Sequence, residues 1–369
     1  MISTQNLAPT RLSNIQALRG GAALLVVLFH LYQMEFELGG ATILPNFFSL
    51  GYVGVDLFFV ISGFIMVYVT WDTRPALKTS AEFFFARASR IYPIYWLMAS
   101  ALLAIWTIYP SLLSAEHTVG SIIKSFLLWP DAQLPMLTVA WTLVHEMYFY
   151  LVFAIILFVP NKWRLAAILL WTGFVAFGNK LGLSGTSPEL RLVFNALGLE
   201  FSLGAIAAWF FKARGGVAGS TALILGLIGW VAAYIYQLGY SGNAYPSFQD
   251  RVWLFGIPGA FITYGLAAIE MRGHVLPKWS ETFGNWSYSL YLSHLLLLGV
   301  LGMIWQKVSR VGMIDNLIAV PLILAIAIVA SWLIYKFTEK PLINGAKALR
   351  RKLFTPPLRP HPQEASSEE

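Results

Sequence analysis

The sequence contains no cysteine, which excludes a disulfide framework, a thiolate metal site and a cysteine acyl-enzyme. Charge is scarce: Asp, Glu, Lys and Arg make up 12% of the 369 residues, against roughly 25% in soluble domains. No Gly-x-Ser-x-Gly elbow, Walker loop, His-Glu-x-x-His motif or dinucleotide-binding glycine loop occurs. No segment between apolar runs is long enough for a separate soluble domain, which needs about 50 residues or more. Apolar residues are abundant instead. A hydrophobic share of 57% and a mean hydropathy of +0.66 place the chain in a bilayer. The net charge of +7 is then read as basic loops under the positive-inside bias, not as affinity for nucleic acid.

Spans of about 20 apolar residues match a hydrocarbon core roughly 30 Å thick. They fall at 14–33, 50–70, 91–110, 138–159, 165–181, 192–211, 219–238, 251–269, 286–305 and 316–337. The run from Ser121 to Trp129 is short and bounded by Pro110, Pro130 and Pro135, which suits an interfacial or re-entrant segment. The first apolar stretch, Ala22 to Phe29, continues through Leu31 and Tyr32 without a small-residue cleavage site, so it reads as a retained helix. Placing both termini in the cytoplasm puts most Lys and Arg inside, including Arg74, Lys78, Lys162, Arg164, Lys347 and Arg350 to Lys352. The expected fold is an all-α integral membrane bundle of about ten transmembrane helices. Residues 1–13 form a cytoplasmic segment, 14–341 the membrane domain and 342–369 a cytoplasmic tail, disordered from Thr355 onward.

Ionisable residues inside a membrane are costly and mark function by default. Arg19 and His30 stand eleven residues apart, about 16 Å and close to three turns, on one face of the first helix. Arg19 is also read as a snorkelling anchor and His30 as an interhelical hydrogen-bond partner. Asp56 lies in a run of small and aromatic residues from Gly51 to Phe64; its partner is His30 or an arginine. Arg87 and Arg90, three apart in the loop before the third span, share a helical face where two guanidinium groups can grip phosphate oxygens, or anchor the membrane edge. In the fourth span Trp141, His145, Glu146 and Tyr150 interrupt an apolar run, with Glu146 expected in the outer half beside His30 and Asp56. Ser287, Tyr291 and His294 share a face of the ninth span, with His294 expected nearer the cytoplasmic half in a structural or gating role.

Together these segments resemble the acyltransferase 3 family of bacterial membrane O-acyltransferases, from about Ile15 to Pro341. The motifs are Arg19 with His30; Gly54-x-Asp56-x-Phe58-Phe59 through Ser62-Gly63-Phe64; Arg87-x-x-Arg90 followed by Pro93 and Tyr95; Trp141, Glu146 and Phe149-Tyr150; Ser287 to His294; and Glu339-Lys340-Pro341. The resemblance implies transfer of an acyl group, usually acetyl, from cytoplasmic acyl-CoA to a sugar hydroxyl at the outer side of a bacterial inner membrane. The stand-alone exopolysaccharide type is most similar.

On that reading the partners are acyl-CoA, a saccharide or lipid-linked oligosaccharide and membrane lipids, with no metal. Arg19, Arg87 and Arg90 hold the donor's phosphates, and His30 takes the acceptor hydroxyl's proton, a role worth about 10² to 10⁴-fold. Glu146 or Asp56 orients the imidazole or binds sugar, while Trp141, Tyr150, Tyr291 and His294 contact substrate. Direct transfer and an acyl-histidine relay are both open at this level. A transporter or flippase is the competing class, since buried His, Asp and Glu also build proton relays.

Overall fold

A computed structural model of the chain describes residues 12–40, 42–108, 117–240, 245–308 and 312–354. Most of the expected N-terminal segment and the whole tail from Thr355 to Glu369 lie outside the described residues. Every described element is helical: α1 (Ser13–Leu38), α2 (Gly54–Thr70), α3 (Leu77–Ile108), α4 (Val119–Leu127), α5 (Trp141–Ile156), α6 (Asn161–Lys180), α7 (Pro188–Val193), α8 (Gly198–Arg214), α9 (Gly219–Tyr240), α10 (Phe248–Arg251), α11 (Ile257–Met271), α12 (Lys278–Asn285), α13 (Ser287–Val308), α14 (Met313–Ile334) and α15 (Lys340–Phe354), with short 3-10 or π turns between some of them. Among the described residues, nine helical stretches are long and apolar enough to cross a membrane. The remaining expected span corresponds to α6, whose ends carry Lys162, Arg164 and Lys180. Its middle exposes Leu170, Phe174 and Phe177, a surface that lipid solvates and water does not. The nine-residue α4 reaches only about 14 Å and cannot span.

Polar contacts at the helix ends put the start of α1 beside the end of α11, the start of α6 beside the end of α2, and the end of α1 beside the start of α14. At one end Glu270 of α11 accepts from the backbone N–H groups of Ser13 (2.7 Å) and Asn14 (2.8 Å). Leu12 offers α1 no side-chain cap, so a carboxylate from a distant helix satisfies those orphan donors. Arg164 at the start of α6 donates to the carbonyls of Thr70 (2.8 Å) and Thr73 (2.8 Å) on the same side. At the opposite end Glu35 accepts from the N–H groups of Ile43 (2.6 Å) and Leu44 (3.0 Å) and from Asn316 at the start of α14 (3.3 Å).

Small residues set the closest approaches. A methyl group on Gly63 would overlap the Phe201 carbonyl, and one on Gly204 the Val60 carbonyl, so α2 and α8 touch backbone to backbone. Gly20 of α1 is likewise closed off by Phe283 and Gly284 of α12.

Two departures from expectation position the site. Helix α3 starts at Leu77 and carries Arg87 and Arg90 within it rather than in a loop; at 32 residues it is about 48 Å long, more than a crossing needs. The first half of α3 is held by α15, through Phe85 and Phe354 (ring centroids 5.8 Å) and Arg350 with Glu82 (3.6 Å). Periodicity did not reveal this extension because its apolar face meets a partner about 270 residues away in the chain. Helix α13 starts well inside the bundle, because α12 packs on α1 at the level of Gln16 to Gly20 and delivers Trp286 and Leu290 against Ala23 and Val27.

Candidate active site

The deep start of α13 carries His294 to His30. The Nε2 of His294 lies 3.2 Å from the Nδ1 of His30, and the rings are 5.0 Å apart. The expectation that His294 sits nearer the Arg19 end is therefore corrected: it shares the depth of His30. The Nδ1 of His30 also lies 2.9 Å from the Val26 carbonyl, and the Nδ1 of His294 lies 2.6 Å from the Tyr291 carbonyl. Carbonyls only accept, so both Nδ1 atoms carry hydrogen when the rings are neutral. The His30 Nδ1–H is then shared between Val26 and the lone pair on His294 Nε2. The Nε2 lone pair of His30 makes no hydrogen bond among the described residues, and a free imidazole lone pair is a proton acceptor.

Toward the other end of α1 lies a charged group. Arg19 is within electrostatic reach of Arg90, Glu146 and Glu339, and Arg87 within reach of Arg90 and Glu146. Glu146 accepts from Ser62 (3.2 Å) and from the Tyr150 hydroxyl; Glu339 accepts from Ser289. Arg87 lies over the rings of Phe83 (5.5 Å) and Tyr150 (5.7 Å). Among the described residues no ion pair joins these three arginines to the two carboxylates, and the cations outnumber the anions. Beside them a cavity of about 820 Å³ is lined by Arg87, Arg90, Lys340, Lys347 and Arg350, with Glu82 the one acid in its wall. A wall of that charge favours an anionic ligand.

Of the two partners expected for Asp56, His30 or an arginine, the contacts show the arginine: its carboxylate accepts from Arg251 Nε (3.0 Å) and Nη2 (2.7 Å), with Asp56 fully buried and Arg251 nearly so. Two expectations are corrected by the contacts. Glu146 does not meet His30. About one and a half turns into α5, it points to Ser62 and the arginines. The Tyr291 hydroxyl is committed to Thr142 (2.8 Å) and the Val139 carbonyl (3.1 Å), fastening α13 to the start of α5. Trp141 lines a separate cavity of about 340 Å³ with His145, Asp131, Gln133 and Asn195, at the end of the bundle opposite Arg87.

Sequence reasoning missed Arg251 and Glu200. Glu200 is fully buried in α8, and the charges of Asp56 and Arg251 act on it. It stood in the apolar run 192–211, where the cost of an intramembrane charge was itself the signal. Arg251 was hidden because it opens a span, where a basic residue usually reads as an anchor.

Residues 12–336 match the family described as "Acyltransferase domain". The chain is 32% identical over 331 residues to the "Exopolysaccharide production protein ExoZ" of Rhizobium meliloti, covering 82% of this chain and 93% of that one. It is 27% identical over 399 residues to the "Acyltransferase MdmB" of Streptomyces mycarofaciens, covering 94% and 95%. No solved structure matches.

Proposed function

The chain belongs to the acyltransferase 3 family, and from that premise we propose that it moves an acetyl group from acetyl-CoA to a sugar hydroxyl of an exopolysaccharide or its lipid-linked precursor, as a multi-pass protein of a bacterial inner membrane. The observation that carries this reading is the pairing of His294 on α13 with His30 on α1, the helix that also presents Arg19 to the cationic group. Arg87 and Arg90, with Arg19, hold the phosphates of the donor at the cytoplasmic end. The pantetheine arm covers the about 16 Å of helix rise between Arg19 and His30 and brings the thioester to the imidazole.

The acceptor hydroxyl attacks the thioester carbonyl while its proton passes to His30 Nε2. Oxygen bonds to the acyl carbon, the carbon–sulfur bond breaks, and His30 returns the proton to the departing thiolate. His294 is the positioning residue. Its Nε2 lone pair accepts from His30 Nδ1–H, which fixes the tautomer and supports the imidazolium formed during transfer, as an acceptor on the other ring nitrogen does for a catalytic histidine. The acceptor approaches from the Trp141 side, where an indole, carboxylate and amides provide the stacking and hydrogen-bonding groups that sugars use.

The test is acetyl transfer by purified protein in detergent, with labelled acetyl-CoA, a saccharide fragment and no ion gradient. Labelled saccharide is expected, and His30→Ala should lower its rate by about 10² to 10⁴-fold. Undiminished transfer by folded His30→Ala would overturn the scheme; movement of saccharide without a new ester would favour a transporter.

A further inference from the structure

We propose that α15 is the wall that binds the 3′-phosphate of the adenosine end of the donor, so that the helix beyond the family-matched residues completes the acyl-CoA site. The inference rests on acyl-CoA as the donor. The matched region stops at residue 336, while the 820 Å³ cavity is closed on one side by Lys340, Lys347 and Arg350 of α15 and on the other by Arg87 and Arg90 of α3. Lys340, Lys347 and Arg350 are spaced by seven and three residues, which keeps them on one face of the helix. Arg351 and Lys352 are exposed and line no part of the cavity.

Arg350 and Arg87 lie within electrostatic reach of one another. Like charges held across a cavity repel, and an anion between them relieves the repulsion. The one acid in the wall is a poor substitute: Glu82 lies 3.6 Å from Arg350, both about two-fifths exposed, longer than the roughly 2.7–2.9 Å of a charge-assisted hydrogen bond. The guanidinium therefore keeps donors for a ligand. Depth divides the work. Arg87 and Arg90 belong to the half-buried charged group that includes Arg19 and suit the diphosphate from which the pantetheine arm departs. Lys347 and Arg350 stand at the mouth, where the ribose 3′-phosphate would lie. Leu342, Leu349 and Leu353 form a separate exposed apolar stripe on α15, apart from the residues that line the cavity.

The experiment uses full-length protein in vesicles and compares acetyl-CoA with 3′-dephospho-acetyl-CoA. For Lys347→Gln/Arg350→Gln, KM for acetyl-CoA should rise roughly tenfold, while KM for the dephospho donor should match that of the unaltered protein. Lys347→Gln alone removes no hydrogen bond or ion pair among the described residues; it should shift KM the same way by less, independently of how Arg350 docks α15. Arg351→Gln/Lys352→Gln loses the same charge and should leave both KM values unchanged. Equal KM changes for both donors, or none, would overturn the proposal. An effect that follows the anionic lipid content of the vesicles and appears equally in Arg351→Gln/Lys352→Gln would also overturn it, in favour of lipid-surface binding. Absence of transfer from acetyl-CoA by the unaltered protein would refute the donor assignment beneath it.

Discussion

Removing Asp56 and Arg251 singly and together separates a structural ion pair from a catalytic acid. Arg251 donates two hydrogen bonds to the fully buried Asp56 carboxylate, and the charge of Glu200 also acts on that arginine. Arg251→Met leaves two buried carboxylates facing each other with no cation, which should cost about 3–5 kcal/mol. Asp56→Asn should cost less, about 2 kcal/mol, because Glu200 can serve as the remaining partner. The double variant should then be more stable than the two losses summed, with a coupling of about 2 kcal/mol. Thermal unfolding in detergent, with the yield of folded monodisperse protein, measures all three. Acetyl transfer by the folded Asp56→Asn protein should stay within about threefold of the unaltered rate, since such a contact acts on stability rather than on the reacting atoms. Additive stability losses, or a folded Asp56→Asn protein at least a hundredfold slower, would refute the reasoning and return Asp56 to the chemistry.

Three further outcomes follow from the same contacts. His294→Phe keeps the ring but loses the acceptor for His30 Nδ1–H, and should lower kcat by about 10- to 100-fold with KM for acetyl-CoA unchanged; a KM effect alone in steady-state kinetics would contradict a positioning role. Gly63→Leu forces a side chain into the Phe201 carbonyl and should cost about 2–3 kcal/mol, read as a lower unfolding temperature; an unchanged unfolding temperature would show that α2 and α8 do not meet there. The absence of native cysteine makes labelling unambiguous: with an impermeant maleimide on intact cells stripped of their outer envelope, Glu37→Cys should react and Lys278→Cys only after permeabilisation, and the reverse pattern would invert the proposed orientation.

Local signals located the spans, the glycines of α2 and the residue set Arg19, His30, Arg87, Arg90 and Glu146, because each interrupts or punctuates an apolar run. Pairing was not legible. Asp56 with Arg251 and His30 with His294 are separated by 195 and 264 residues, and nothing in either neighbourhood names the partner. Depth failed for a related reason: the position of His294 depends on where α13 begins, which is fixed by α12 packing against Gly20. The cationic wall of α15 was visible in sequence only as positive-inside charge, since helix direction alone does not reveal that one of its faces closes a cavity with α3.

Vesicles that hold labelled acetyl-CoA on one side and an impermeant oligosaccharide on the other test the central claim, transfer between opposite ends of one bundle. With the donor on the Arg87 side, labelled saccharide should appear in the acceptor compartment and should fall at least a hundredfold with His30→Ala. Product that forms only when donor and acceptor share a compartment would contradict the account.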